Sequence, residues 1–106
     1  MTRSSMVGFE LLPAGEAGHY RLSGRFGFAT AAPVLERGQH EFAAHPHVEV
    51  DLSGVTEADS AGLAVLLAWV EDARRRGHTI RYVGLPQSLA GIAKITETDR
   101  LLHVAD

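Results

Sequence analysis

The sequence of 106 residues contains no cysteine, which excludes disulfides, thiolate metal ligands and a cysteine nucleophile. It also lacks an excess of positive charge, because 10 Lys and Arg stand against 13 Asp and Glu. Without a positive field, the chain is not expected to bind nucleic acid. No apolar run reaches the roughly 20 residues of a membrane span, and no signal-peptide pattern follows the first basic residue. These absences predict a cytoplasmic protein that does not insert into a membrane.

The common motifs of catalysis and cofactor binding are also missing. The glycines form neither a dinucleotide fingerprint nor a Walker A loop, and no GxSxG elbow is present. Glu57 and Asp59 are two carboxylates in a loop, and no partner elsewhere in the sequence suggests that they act as a catalytic acid and base. His40, His45 and His47 lack the spacing and the carboxylate partners of a zinc site. We therefore expect a protein that is not an enzyme and holds no metal or cofactor.

What is present is the composition and the patterning of one globular α/β domain spanning residues 1–106. Apolar residues make up 45% and charged residues 22% of the chain, which suits one core but not two. Period-two alternation predicts strands and period-3.6 repeats predict helices. We expect a mixed sheet of four or five strands with three to four helices. The predicted strands lie at Val7–Leu12, His19–Ser23, His47–Leu52 and Thr79–Val83, with a short fifth strand near the end, and the predicted helices at Thr30–Glu41, Ser60–Arg76 and from Pro86 to Ile95.

The most informative segment leads from the third strand into the helix at Ser60. We expect a polar loop that ends at Asp59 and Ser60, either of which can cap the helix. A helix N-terminus also favours a phosphate group. Ser60 is therefore either a simple cap or a contact and regulatory residue.

The helix from Ser60 carries apolar residues on two sides. Leu63, Leu67 and Val70 share one side, while Val65 and Trp69 fall largely on another. Since one sheet covers one side, we expect Val65 and Trp69 to be partly exposed and to anchor a partner. The alternative is that the first helix or the C-terminal segment buries Trp69. A Trp69→Asp change separates the two, because it disrupts folding only if Trp69 belongs to the core.

Several motifs resemble those of STAS domains. A strand ending in DLSGV is followed by TEADSAGLAVLLAW and ARRRG, and the FATAAPVLERG and LAGIAKIT stretches resemble the family's first and last helices. The resemblance is strongest to the MlaB type. Within it, Asp59, Ser60, Ala61 and Gly62 match the family's D-[ST] motif, and Ser60 matches the hydroxyl residue.

This resemblance implies a non-catalytic subunit that binds and supports the MlaF-like ATPase of a phospholipid ABC transporter. The transporter maintains outer-membrane lipid asymmetry, so the subunit would lie in the cytoplasm, peripheral to the inner membrane. Asp59 and Ser60 would contact the ATPase, and Ala61 and Gly62 would permit close approach. When the ATPase is absent, the exposed apolar face would favour a homodimer.

Two other functions remain open at this point. An anti-sigma-factor antagonist would share the fold and be phosphorylated at Ser60, although Ala61 stands where many antagonists carry a second hydroxyl. A small-ligand sensor would need an enclosed pocket, which a chain of this length can barely spare from its core.

Overall fold

Four strands and three α-helices make up the part of the chain that the structure, a computed structural model, describes: residues 8–104. In chain order they are β1 (Phe9–Pro13), β2 (His19–Phe26), α1 (Ala31–Phe42), β3 (His47–Ala58), α2 (Ser60–Arg76), β4 (Thr79–Val83) and α3 (Gln87–Ile95), followed by a 3₁₀ turn at Asp99–Leu101. Val7, which was predicted to begin the first strand, lies outside the described residues.

The strands form one mixed sheet in the order β1-β2-β3-β4. β1 and β2 are an antiparallel hairpin, whereas β2 with β3 and β3 with β4 run parallel through helical crossovers. The predicted α/β class and mixed sheet are confirmed. In place of a fifth strand, Val104 makes an isolated bridge to Tyr82.

Alternation along the strands gives the sheet one apolar and one polar face. Leu22, Val50 and Tyr82 point to the side covered by the helices and are completely buried. On the opposite side His19, Glu49 and Arg81 lie directly across from one another on β2, β3 and β4. The Glu49 carboxylate pairs with the Arg81 guanidinium at 2.8 Å. The core therefore lies between the sheet and one layer of helices, and the other face meets solvent.

The third strand, β3, is longer than the sequence predicted. The segment Ser53–Ala58 was expected to be a polar loop, but it continues β3. It pairs with the C-terminal end of β2, and the pairing shifts register at two places. β2 is also longer than predicted and ends at Phe26. The composition of the segment is typical of a turn, but pairing with β2, which is distant in the sequence, makes it a strand.

The second helix begins and ends where the sequence predicted. Asp59 caps its N-terminus through a side-chain hydrogen bond. Gly77, with φ 73°, adopts the left-handed conformation at its C-terminus, where its N–H bonds back to the last turn. Arg74 and Arg75 lie in that last turn and pair with Glu71. These contacts support the helix-end interpretation of the arginine run.

The prediction that Trp69 is partly exposed is wrong, because its side chain is only 2% exposed. α1 packs beside α2 in the same layer of helices and also contacts β1, and Gly38 of α1 leaves room for the indole ring. The Trp69 Nε1–H donates to the Leu35 carbonyl oxygen at 3.2 Å. The ring stacks on Phe26 and meets the edge of Phe42, with centroids 6.3 and 5.0 Å apart. The alternative, burial by the first helix, is the observed one.

The last helix differs from its prediction at one residue. Leu89 and Ala93 are fully buried, but Ile95 is 84% exposed. At 3.6 residues per turn, Ile95 lies roughly 200° around the axis from Ala93 and so faces solvent. Within residues 8–104, no helix is both long and apolar enough to cross a bilayer.

Candidate docking site at the start of the second helix

Two connections meet at the edge of the sheet where β2 and β3 end. Phe26, the last residue of β2, lies in register with Ala58, the last residue of β3. The loop Gly27–Thr30 therefore lies beside Asp59, the single residue that joins β3 to α2. The carboxyl ends of parallel strands are the usual location of binding sites in α/β folds.

The carboxylate of Asp59 joins these two connections. Its Oδ1 accepts the Ala61 N–H at 2.8 Å, which caps α2, and its Oδ2 accepts the Phe28 N–H at 3.1 Å. The bond from Phe28 is the largest of the causes that hold the pKa of Asp59 below its usual range, and the N–H groups of Ala61 and Gly62 act in the same direction. Asp59 is therefore ionised at neutral pH and fixes the loop to the helix.

Ser60 is the first residue of α2, and it is exposed. Since Asp59 supplies the cap, the Ser60 hydroxyl is not needed for that purpose. The hydroxyl lies where the partial positive charge of the helix N-terminus is strongest. Its position suits either a contact with a partner or the attachment of a phosphate group.

A narrow exposed stripe continues from Ser60 along the outer side of α2. Ala64 is exposed and Leu67 and Ala68 are partly exposed, at helical spacings of three and four. Small side chains let another backbone approach closely. The stripe ends at Glu71, and its apolar part, from Ala64 to Ala68, is little more than one turn long.

Three of the predicted contact residues do not reach this surface. Gly62 is buried because α2 begins directly against β2, and a Cβ at Gly62 would collide with the Phe26 carbonyl oxygen. Val65 is 3% exposed and points into the same core as Trp69. The expectation that Val65 and Trp69 anchor a partner is therefore wrong for side chains in these positions. Gly62 therefore permits the close approach of α2 to β2, and not that of a partner.

A sequence model of a known protein family matches residues 12–103 of the chain, and the family is described as "Mlab, STAS domain". The chain belongs to the STAS domain family. The match includes the Gly27–Thr30 loop, Asp59, Ser60 and the whole of α2. The resemblance inferred from the DSAGLA segment is confirmed.

Solved structures share the fold of this STAS domain at low sequence identity. An anti-sigma factor antagonist from Mycobacterium paratuberculosis superposes with a TM-score of 0.69 at 23% identity, over 96% of this chain and 89% of that one. A sulfate transporter family protein from Wolinella succinogenes gives 0.65 at 20% identity, over 90% and 80%. The Bacillus cell fate determinant SpoIIAA in its phosphorylated form gives 0.64 at 9% identity, over 92% and 91%. At these identities the likeness is one of fold.

Phe28, which the sequence patterns did not single out, lies at this edge of the STAS domain. Its side chain is 87% exposed although it is a large apolar ring. Phe28 lies in the loop between β2 and α1, where the periodicity of apolar residues does not predict which side chains are exposed. The available signal was the position of the aromatic between the small residues Gly27 and Ala29 of the FGFAT stretch.

Outside this edge, the described residues of the STAS domain form a small cavity and a larger open groove. The cavity beside Trp69, lined by Phe42, Val48 and Ile80, holds about 10 Å³, which is room for about one water molecule. A larger groove of about 500 Å³ on the polar face of the sheet is open to solvent. Among residues 8–104, no three His, Asp or Glu side chains are grouped to hold a metal ion. The edge around Asp59 and Ser60 is thus the candidate site.

Proposed function

We propose that this STAS domain is a non-catalytic subunit that docks onto and supports the ATPase of a phospholipid ABC transporter of the Mla type. The observation that carries the proposal is Ser60, exposed at the first turn of α2 within a domain of the "Mlab, STAS domain" family. The subunit would work in the cytoplasm and reach the inner membrane through the ATPase. It would need no cofactor and would contribute to outer-membrane lipid asymmetry.

The shape of the site supports a role in protein docking. Asp59, Ser60 and Ala61 form the rim at the helix start, and the stripe of Ala64, Leu67 and Ala68 continues from it. Interfaces commonly combine a small apolar centre with a polar rim. The predicted contacts of Asp59, Ser60 and Ala61 with a partner stay part of this proposal, whereas the apolar contribution is moved from Val65 and Trp69 to the stripe.

An anti-sigma-factor antagonist regulated at Ser60 is the second candidate function. It is favoured by the structural likeness to an antagonist from Mycobacterium paratuberculosis and to phosphorylated SpoIIAA. A phosphate on Ser60 would meet the positive helix terminus but would also add nearly two negative charges beside Asp59. Such a change would strongly alter docking at this edge.

Affinity purification of the tagged full chain from its native host tests both candidates. Wild-type chain should retain the transporter ATPase, and Ser60→Glu should lose most of it, because a carboxylate then projects into the interface. Ser88→Glu is a matched control, since Ser88 is also an exposed serine in the first turn of a helix. Recovery of a serine kinase with phosphorylated Ser60, and no ATPase, would replace the first candidate with the second.

A further inference from the structure

An aromatic ring projects into solvent beside the proposed docking site. We propose that Phe28 is the anchor of this site, and that it inserts into an apolar pocket of a protein partner whose rim carries a Lys or Arg side chain. The inference rests on the proposed function in that it assigns Phe28 to the docking edge defined by Ser60.

The loop that carries Phe28 is held in place on both sides of the ring. Thr30 is buried, its hydroxyl donates to the Arg25 carbonyl oxygen at 2.9 Å, and the Gly27 N–H donates to the same hydroxyl at 3.2 Å. The Thr30 N–H also donates to the Gly27 carbonyl oxygen at 3.0 Å. Together with the bond from Phe28 N–H to Asp59, these contacts fix the backbone that presents the ring. An anchor on such a preorganised loop loses little conformational freedom on binding.

The exposure of Phe28 is not explained by folding. The ring is 87% exposed, so the isolated domain gains little from its burial and is left with a costly apolar surface. Phe28 differs in this from Phe9, Phe26 and Phe42, which are all buried in the core. Interfaces draw a large share of their affinity from a few aromatic side chains of this kind.

The surroundings of Phe28 define the chemistry of the partner. A concave region of about 360 Å³ lies next to the ring, bounded by Arg25, Glu57 and Asp59. Arg25 and Glu57 form an exposed, long ion pair at 3.6 Å, so Glu57 remains accessible. Two carboxylates and one guanidinium give the side chains of this region an excess of one negative charge, which is larger than the roughly +0.5 of the α2 N-terminus beside it. A cationic side chain of the partner would fit there while Phe28 enters the partner's pocket.

The same charges disfavour other occupants. Anionic lipid head groups attract basic segments and are repelled by the carboxylates of Glu57 and Asp59. A symmetric contact between two copies of the chain would bring the acidic regions around the two Phe28 rings against each other. A protein partner can satisfy both features, because its apolar pocket would bury the Phe28 ring and its cationic rim would face the carboxylates.

Photo-crosslinking in the native host tests the proposal without assuming the partner's identity. A photoreactive phenylalanine analogue is placed at position 28 or, as control, at the equally exposed Ile95. Adducts are mapped on the captured protein, which is then purified for binding measurements with Phe28→Ala, Glu57→Lys and Ile95→Ala. We expect a dominant position-28 adduct next to a Lys or Arg, at least tenfold weaker binding for the first two variants, and less than twofold change for Ile95→Ala.

Failure of this inference and failure of the proposed function are distinguishable. Capture of a protein other than a transporter ATPase, with the expected loss for Phe28→Ala, keeps the anchor and removes the transporter role. Wild-type affinity of Phe28→Ala for the transporter ATPase keeps the role and removes the anchor. Adducts at position 28 that are lipid, a second copy of the chain, or no stronger than those at position 95 also overturn the proposal.

Discussion

Replacing Asp59 with Ala should loosen the docking edge and measurably destabilise the domain. The change removes the cap from α2 and the acceptor for the Phe28 N–H, at 2.8 and 3.1 Å. Loss of an N-cap costs about 1 kcal/mol, and loss of a further hydrogen bond to an exposed charged group about 1 kcal/mol. The free energy of unfolding should therefore fall by about 2 kcal/mol, the sum of these two contributions.

The assay is urea unfolding followed by the fluorescence of Trp69, the only tryptophan of the chain. Asp59→Asn should lose about half as much, roughly 1 kcal/mol, because it keeps one acceptor oxygen. Glu57→Ala is the control, since it removes a neighbouring carboxylate whose exposed ion pair is worth less than about 1 kcal/mol. Amide exchange at Phe28 should also become faster in Asp59→Ala. A loss no larger than that of Glu57→Ala would refute the proposed link between loop and helix.

Three other predictions concern the core and pH. Trp69→Ala should cost about 3–5 kcal/mol in urea unfolding followed by circular dichroism, since this variant lacks the fluorescent probe; a loss below about 1 kcal/mol would contradict burial of the indole. Gly62→Ala should destabilise by about 1–3 kcal/mol through overpacking against Phe26, whereas Gly91→Ala, where an added Cβ meets nothing within 4 Å, should stabilise slightly. Because the pKa of Asp59 is lowered in the folded state, its ionised form stabilises the fold above about pH 4. The difference in unfolding free energy between wild type and Asp59→Asn should therefore shrink as the pH falls below about 4. A difference that grows towards acid pH would be inconsistent with this assignment.

Local patterns were sufficient for the elements whose signals lie within them. α2 was predicted at its observed bounds because apolar spacing, an Asp59 cap and a Gly77 stop agree along one segment. β4 was predicted equally well, since its alternation is short and uninterrupted. The DSAGLA segment carried the family assignment because its residue types are specific.

The features that the sequence did not reveal depend on distant contacts. The extension of β3 through Ser53–Ala58 arises from pairing with β2, about 30 residues away. Burial of Trp69 depends on α1 packing against α2 where Gly38 leaves space, and the period of α2 alone cannot show that a neighbouring helix covers its second apolar side. Phe28 was missed because its exposure follows from the conformation of a loop.

Binding of the purified chain to the purified transporter ATPase of the same host is the decisive measurement for docking at the start of α2. Isothermal titration calorimetry would give the dissociation constants of wild type, Ser60→Glu and Ser88→Glu. We expect a specific complex with wild type, at least tenfold weaker binding for Ser60→Glu and unchanged binding for Ser88→Glu. No complex with wild type, or equal affinity of all three proteins, would contradict docking at the start of α2.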